Sequence, residues 1–183
     1  MKFFSVLFAL LSRRLWLFTL LNAVFFGGVF AAALATSGTY LSGDERGAVG
    51  DVGATFLTIF VSNLVVSSFL VLTVPGMLLF AVPVGVLAWR AAVWGTLLNG
   101  LSTPAFLAAP PTILLEGEGY VLAGAAGVIL GLSWLRPSWI GQEGTARWKS
   151  LRRAVKECAY LYVLVALLLL AAAVVETLTL FLS

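Results

Sequence analysis

The chain has 183 residues, of which 61% are hydrophobic and 10% are charged, with a formal net charge of +3. Soluble domains are on average about 45–50% apolar and about 25% charged, so a water-soluble fold of this size could not bury so much apolar surface. The charge is too small to indicate nucleic-acid binding. The composition therefore predicts one integral membrane domain over residues 1–183, with the lipid bilayer as its solvent.

Two residue counts limit the chemistry. The chain has no histidine, which removes the usual proton shuttle and the commonest metal ligand. Its single cysteine, Cys158, excludes an intrachain disulfide and a cysteine-rich metal site. We expect no metal and no cofactor.

The first fourteen residues, MKFFSVLFALLSRR, place a short apolar run between cations. A signal peptide would follow its apolar run with small residues, whereas this one is followed by Arg13 and Arg14. The pattern favours a retained interfacial helix over a cleaved leader.

Five apolar segments are predicted to span the membrane, because about 20 helical residues cross about 30 Å of hydrocarbon. The block 54–98 is too long for one span, and Val74–Pro75–Gly76 is its predicted break. Pro83 then lies inside the third span and is expected to kink it. The predicted spans are 15–35, 55–73, 76–98, 111–135 and 158–182.

Two segments that connect predicted spans are less apolar than the spans themselves. Residues 99–110 are expected to form a loop, with a short helix around 104–109, before Pro111 opens the fourth span. Residues 136–157 are basic, with Trp148, Leu151, Val155 and Cys158 at helical spacing. This predicts an amphipathic helix at the inner surface, serving as a positive-inside signal, an anionic-lipid contact or a docking site for a partner.

The cations set the orientation. With the N-terminus in the cytoplasm, Lys2, Arg13, Arg14 and the six cations of 136–157 lie inside and only Arg46 lies outside. We therefore predict an all-α, polytopic helical bundle of the cell membrane with an inner N-terminus and an outer C-terminus.

Four polar groups from four spans fall in the outer half of the bilayer. At about 1.5 Å per residue, they lie about 7 to 12 Å below the outer ends of their helices. The expected polar cluster comprises Asn63, Arg90, Glu116 and Glu176. Charge compensation that fixes helix register and a water-accessible ion or proton site are both open interpretations.

The fourth span carries a second carboxylate and a run of small residues. Glu118 lies about 200° around the helix from Glu116, so the two are expected to face different neighbours. Ala123, Gly127 and Gly131 recur every four residues, a pattern typical of close helix packing in lipid. This stripe indicates either packing inside the bundle or the face of a homo-oligomer, with a dimer favoured.

Nucleotide-binding, serine-hydrolase and zinc-protease motifs are missing from the sequence. We therefore expect a protein that is not an enzyme. A membrane scaffold or permease-like subunit is the leading hypothesis, with other envelope proteins as further partners. A transporter or channel that uses Glu116, Glu176 and Arg90 as a proton or cation site is the alternative.

The segment 111–131 resembles the stage II sporulation protein M family of integral membrane proteins. That family carries a pattern close to P-H-G-I-x-E-L-P-A-x-x-x-A-x-x-x-G-x-x-x-G in its penultimate span. The residues that match it are Pro111, Glu116, Ala123, Gly127 and Gly131. Asn63 and Glu176 resemble an asparagine of the family's second span and a glutamate of its last span.

The sequence also departs from the family pattern. Thr112 replaces a frequent histidine, Gly117 and Glu118 replace Leu-Pro, and Trp89–Arg90 stand near the usual Asn-Gly of the third span. The resemblance implies a five-span membrane protein with an inner N-terminus. In spore formers the named member works with peptidoglycan-degrading partners during engulfment of the forespore, and relatives occur widely in bacteria and archaea that make no spores.

Overall fold

The computed structural model describes residues 2–37, 51–101, 103–140 and 146–182, and every regular element in them is a helix. Helix α1 covers Lys2–Arg13 and α2 covers Leu15–Ala35, with a bend at Arg14. Leu7 and Leu10 of α1 are buried against the bundle. The predicted N-terminal helix and first span are therefore present as separate helices. Most of the segment between the first two predicted spans, 38–50, lies outside the described residues.

Helix α3 runs over Val52–Leu78 and begins at Asp51, whose side chain accepts a hydrogen bond from the N–H of Ala54 at 3.0 Å. Its middle, Ser62–Thr73, is π-helical. The predicted break at Val74–Pro75–Gly76 is wrong, because the helix continues through Pro75. The N–H of Val74 bonds to the carbonyl of Phe69, five residues back, and this wider turn accommodates a proline ring that would clash in a regular α-helix.

The chain reverses instead at residues 79–81, where Leu79 adopts an extended backbone. Helix α4 follows over Val82–Leu98. Pro83 lies in its first turn, where the missing N–H has no helical partner to lose. The predicted mid-span kink at Pro83 is therefore wrong.

Two further helices are longer than predicted. Helix α5 covers Thr103–Leu135 and contains Pro110 and Pro111, so the helix begins before Pro111, whereas the candidate span within it is Ala109–Leu135, close to the predicted one. Helix α6 covers Arg147–Leu182 without interruption, so the basic segment continues the last span instead of forming a separate helix. A short 3₁₀ helix, Pro137–Ile140, follows α5.

The four apolar residues predicted to form one face of the basic segment differ in exposure, with Leu151 half-buried and Cys158 buried. Trp148 is 75% exposed and Val155 is exposed. The side of α6 that packs on the bundle carries small and polar residues there and larger apolar residues further along. The buried residues of α6 are Ser150, Ala154, Glu157, Cys158, Leu161, Val165, Leu169, Ala172, Ala173 and Thr177.

Helix α5 is the centre of the bundle: residues 119–133 are all buried, and α5 packs on α2, α3, α4 and α6. Helix α2 packs closely on α4, because Gly95 allows Val29 and Ala32 to approach its backbone. Among the described residues, four helices are long and apolar enough to cross a membrane, and the shorter α4 is apolar as well. The outer helices expose many large apolar side chains, as lipid-facing helices do.

Candidate polar site at the centre of the bundle

The site is built around Tyr120, which is 1% exposed. Its hydroxyl is 2.8 Å from Oδ1 of Asn63 on α3 and 3.4 Å from Oε1 of Glu116, one turn earlier on α5. The Nδ2 group of Asn63 donates a hydrogen bond to the same Glu116 oxygen. One carboxylate oxygen therefore joins α3 to α5 inside the bundle.

Arg90 reaches the same site from α4. Its guanidinium donates a hydrogen bond to Oγ of Ser67 at 2.8 Å and lies over the ring of Tyr120, with Cζ 4.1 Å from the ring centroid. Within the described residues its other terminal nitrogen, NH1, is buried without a hydrogen bond, and no carboxylate lies within 4 Å of the guanidinium. Arg90 is thus held by a hydroxyl and an aromatic face.

The π-helical segment determines which α3 residues face this site. Bonds between residues five apart widen the helix to more than four residues per turn. The inward positions accordingly recur every four to five residues, at Asn63, at Ser67 and Ser68, and at Leu72 and Thr73. In a regular α-helix Leu72 would lie opposite Asn63. No pattern in the sequence indicated this π-helical segment, although π-helical turns are frequent at functional sites.

Glu176 lies beside the network without joining it. It lines the same cavity as Glu116, and in the described part of the chain its carboxylate makes no hydrogen bond and no ion pair. The structure therefore brings Asn63, Arg90 and Glu116 together around Tyr120 and places Glu176 across a cavity from them.

Glu118 faces another part of the bundle. Its side chain lies near Asn22 on α2, whose Nδ2 donates a hydrogen bond to the carbonyl of Phe18 at 3.0 Å. The two carboxylates of α5 thus contact different helices. Sequence reasoning missed Asn22, although it is the single amide of an otherwise uncharged span.

A second set of polar contacts lies further along α3, at Thr73. Oγ1 of Thr73 is 3.0 Å from the carbonyl of Ala123 and 3.1 Å from that of Ser68. It also contacts the hydroxyl of Tyr162 on α6. Because a carbonyl can only accept, the Thr73 proton goes to a carbonyl and Tyr162 donates to Thr73. These bonds connect α3, α5 and α6 below the first network.

The small-residue stripe packs inside the chain. Ala123 is fully buried, and a Cβ at Gly127 would lie 2.8 Å from the carbonyl of Leu72. A Cβ at Gly131 would collide with the carbonyl of Gly76. The stripe is therefore where α3 approaches α5, and this face is covered within one chain.

A buried ion cluster at the basic end was missed by sequence reasoning. Glu157 of α6 pairs with Arg13 and, at 3.3 Å, with Arg14, whose side chain is 3% exposed. Burial lowers the pKa of Arg14, and the charge of Glu157 opposes that shift. The available signal was one acidic residue among the cations of 147–156, opposite the arginine pair before the first span.

These contacts define the protein as an all-helical membrane protein with a polar network at the centre of its helix bundle. A family model described as "Stage II sporulation protein M" matches residues 15–179, and the chain belongs to that family. The resemblance found at 111–131 is thereby confirmed. Neither a curated protein nor a solved structure gives a significant match to the chain.

Proposed function

We propose that the protein is a multi-pass protein of the cell membrane that acts as a non-enzymatic scaffold or permease-like subunit. It assembles with itself, as a dimer, and with other envelope proteins. The observation that supports this role is the closed packing of α5 below Glu116. Tyr120, one turn further along α5, contacts the Glu116 carboxylate, and residues 121–133 after it are all buried. An ion path through one chain would need a hydrated passage at this depth.

The proposed assembly uses the outward faces of the bundle. The stripe of Ala123, Gly127 and Gly131 is occupied by α3 and is not open to a second chain. Large exposed apolar side chains remain on α3 and α4, for example Phe69 and Trp89. In lipid, such faces associate through packing contacts rather than through the hydrophobic effect.

A transporter or channel that uses Glu116, Glu176 and Arg90 is the second candidate. The observation in its favour is the cavity that contains both glutamates, because ionisable groups in a membrane frequently mark an ion or proton pathway. The cavity lies next to Glu116, and the packed part of α5, residues 119–133, lies beyond it. A transport cycle would have to open that packing.

Two measurements test the proposal. Purified protein reconstituted in liposomes with an imposed proton or potassium gradient should give the same flux as protein-free liposomes. Flux that depends on the protein and disappears in Glu116→Gln would favour the transporter. The mass in detergent and in nanodiscs should be twice the 19.4 kDa of one chain. A monomer in both environments would contradict the dimer.

A further inference from the structure

The cavity beside Glu116 has a volume of about 300 Å³ and lies between the ends of α4 and α6 and the first half of α5. Its walls are mainly apolar, with Trp94 and Leu98 on one side and Ile113 on another. The charged groups among its described lining residues are Glu116 and Glu176, and none of these residues is a cation. An apolar cavity with a few polar groups is the usual form of a ligand site, and this one is at the small end of their range.

The guanidinium of Arg90 does not face this cavity. Arg90 binds Ser67 and covers the ring of Tyr120, and it does not line the cavity. Glu116 uses Oε1 for both Asn63 and Tyr120, while its Oε2 has no hydrogen bond within the described residues. Glu176 has none on either oxygen there. Within the described residues the cavity therefore presents unbonded carboxylate oxygens among apolar side chains, an arrangement that is costly unless the carboxylates are protonated or bind a cation.

The cavity reaches the apolar outer surface of the described part of the bundle. Leu97, Leu101 and Leu180 line the cavity and are also exposed on the outside of the bundle. A ligand can therefore enter sideways from the bilayer. A metal ion would find mostly hydrocarbon here instead of the six or more oxygen ligands that calcium takes. An ammonium group attached to an apolar body fits both the charge and the walls.

We propose that this cavity binds the headgroup of an aminophospholipid, with its primary ammonium on Glu116 and Glu176 and its chains leaving past Leu97 and Leu180 into the bilayer. A primary ammonium supplies three N–H donors, which is enough to serve both carboxylates. A quaternary choline headgroup has no N–H to donate, and a glycerol headgroup carries no cation. The site does not depend on the assembly proposed above.

Native mass spectrometry of the delipidated, purified protein tests this site. Phosphatidylethanolamine, phosphatidylcholine and phosphatidylglycerol with identical chains would be added in equal amounts. We expect phosphatidylethanolamine to be retained about tenfold more than either of the others, which corresponds to about 1.4 kcal/mol. Equal retention of the three lipids, or a preference for phosphatidylglycerol, would overturn the proposal.

Two glutamine variants form a matched pair. Glu176→Gln keeps the size of the side chain, removes its charge and breaks no hydrogen bond within the described structure. It should abolish the preference for phosphatidylethanolamine. Glu118→Gln removes a carboxylate from another side of α5 and should leave the preference unchanged. If both variants lose the preference equally, or neither does, the cavity is not the binding site.

A third variant tests the cavity without changing charge. Leu98→Trp should fill part of the space and lower phosphatidylethanolamine retention, while retention of phosphatidylglycerol stays at the wild-type level. The thermal midpoint in detergent shows whether each variant is folded, and only folded samples are compared. Full retention by a folded Leu98→Trp protein would contradict binding inside the cavity.

Discussion

Arg90 lies over the ring of Tyr120, with its guanidinium carbon 4.1 Å from the ring centroid, instead of against a carboxylate. The two ion pairs in the described part of the chain belong to Glu157, at the other end of the bundle. Arg90 and Glu116 are therefore linked through a shared neighbour, since the hydroxyl of Tyr120 contacts Glu116. Removing the charge of Arg90 should therefore weaken its contact with Tyr120 more than any direct interaction with Glu116.

A double-mutant cycle should show that the main partner of Arg90 is Tyr120. We expect Arg90→Gln and Tyr120→Leu to be coupled by about 0.5–2 kcal/mol, the range for a cation over an aromatic ring. The coupling of Arg90→Gln with Glu116→Gln should be smaller, so rescue of Glu116→Gln by Arg90→Gln should be slight. Reversible unfolding in mixed micelles measures both energies.

Trp89→Leu serves as the control for that cycle. Trp89 is the neighbour of Arg90 in sequence, but it is 65% exposed on the outside of the bundle. Its coupling with Arg90→Gln should be close to zero. A coupling of Arg90 with Glu116 as large as that with Tyr120 would show a direct ion pair.

Two glycine-to-alanine variants should separate close helix packing from helix propensity. Gly127→Ala places a Cβ 2.8 Å from the carbonyl of Leu72 and should destabilise the protein by about 1–3 kcal/mol. Gly85→Ala adds the same group where nothing lies within 4 Å, and should be neutral or stabilising by up to about 1 kcal/mol. Unfolding midpoints in detergent report both. Equal midpoints would mean that α3 does not approach α5 at Gly127.

Removal of Glu157 should weaken the basic end of the bundle. Glu157→Ala takes the carboxylate away from Arg14, which is almost fully buried, and should cost about 2–4 kcal/mol of the free energy of unfolding. Lys156→Ala removes an exposed charge from the next position and should change stability by less than about 0.5 kcal/mol. Similar losses in the two variants would show that the ion cluster contributes nothing specific.

Cysteine labelling in intact cells tests the predicted orientation. A membrane-impermeant maleimide should modify Ser42→Cys without permeabilisation, because position 42 lies between the first two predicted spans, on the predicted outer side. Lys149→Cys should react only after the cells are opened. Lys149 is exposed, whereas Ser150 is fully buried and would resist labelling on either side. Reaction of Lys149→Cys in intact cells would reverse the orientation.

The sequence alone was sufficient for the fold class, the family and the positions of most spans. Long uncharged segments such as Leu15–Ala35 have no stable alternative to a helix in lipid, because each backbone N–H and C=O must be paired within the segment. The sequence was also sufficient to predict that Glu116 and Glu118 face different neighbours, since residues two apart on a helix point in different directions. Helix formation in lipid and the directions of side chains on one helix depend only on local backbone geometry and on the surrounding bilayer.

Helix ends at prolines were not predictable in the same way. In water, Pro75 would be a sound place to end a helix. In this chain the turn before it is π-helical, and the glycine after it lies against Gly127 of α5. Packing of α3 on α5 thus keeps the chain helical to Leu78, and it overrides the tendency of Pro75 to end a helix.

Only the tertiary structure decided the partners of the polar residues. Depth along a helix placed Asn63, Arg90, Glu116 and Glu176 at similar levels, but it carries no information about rotation around each axis. The π-helical segment of α3 turns Asn63 and Ser67 inward, and the position of Tyr120 between Arg90 and Glu116 keeps those two charges out of direct contact. Rotation is set by the packing of side chains from several helices at once, so one helix's sequence cannot specify it.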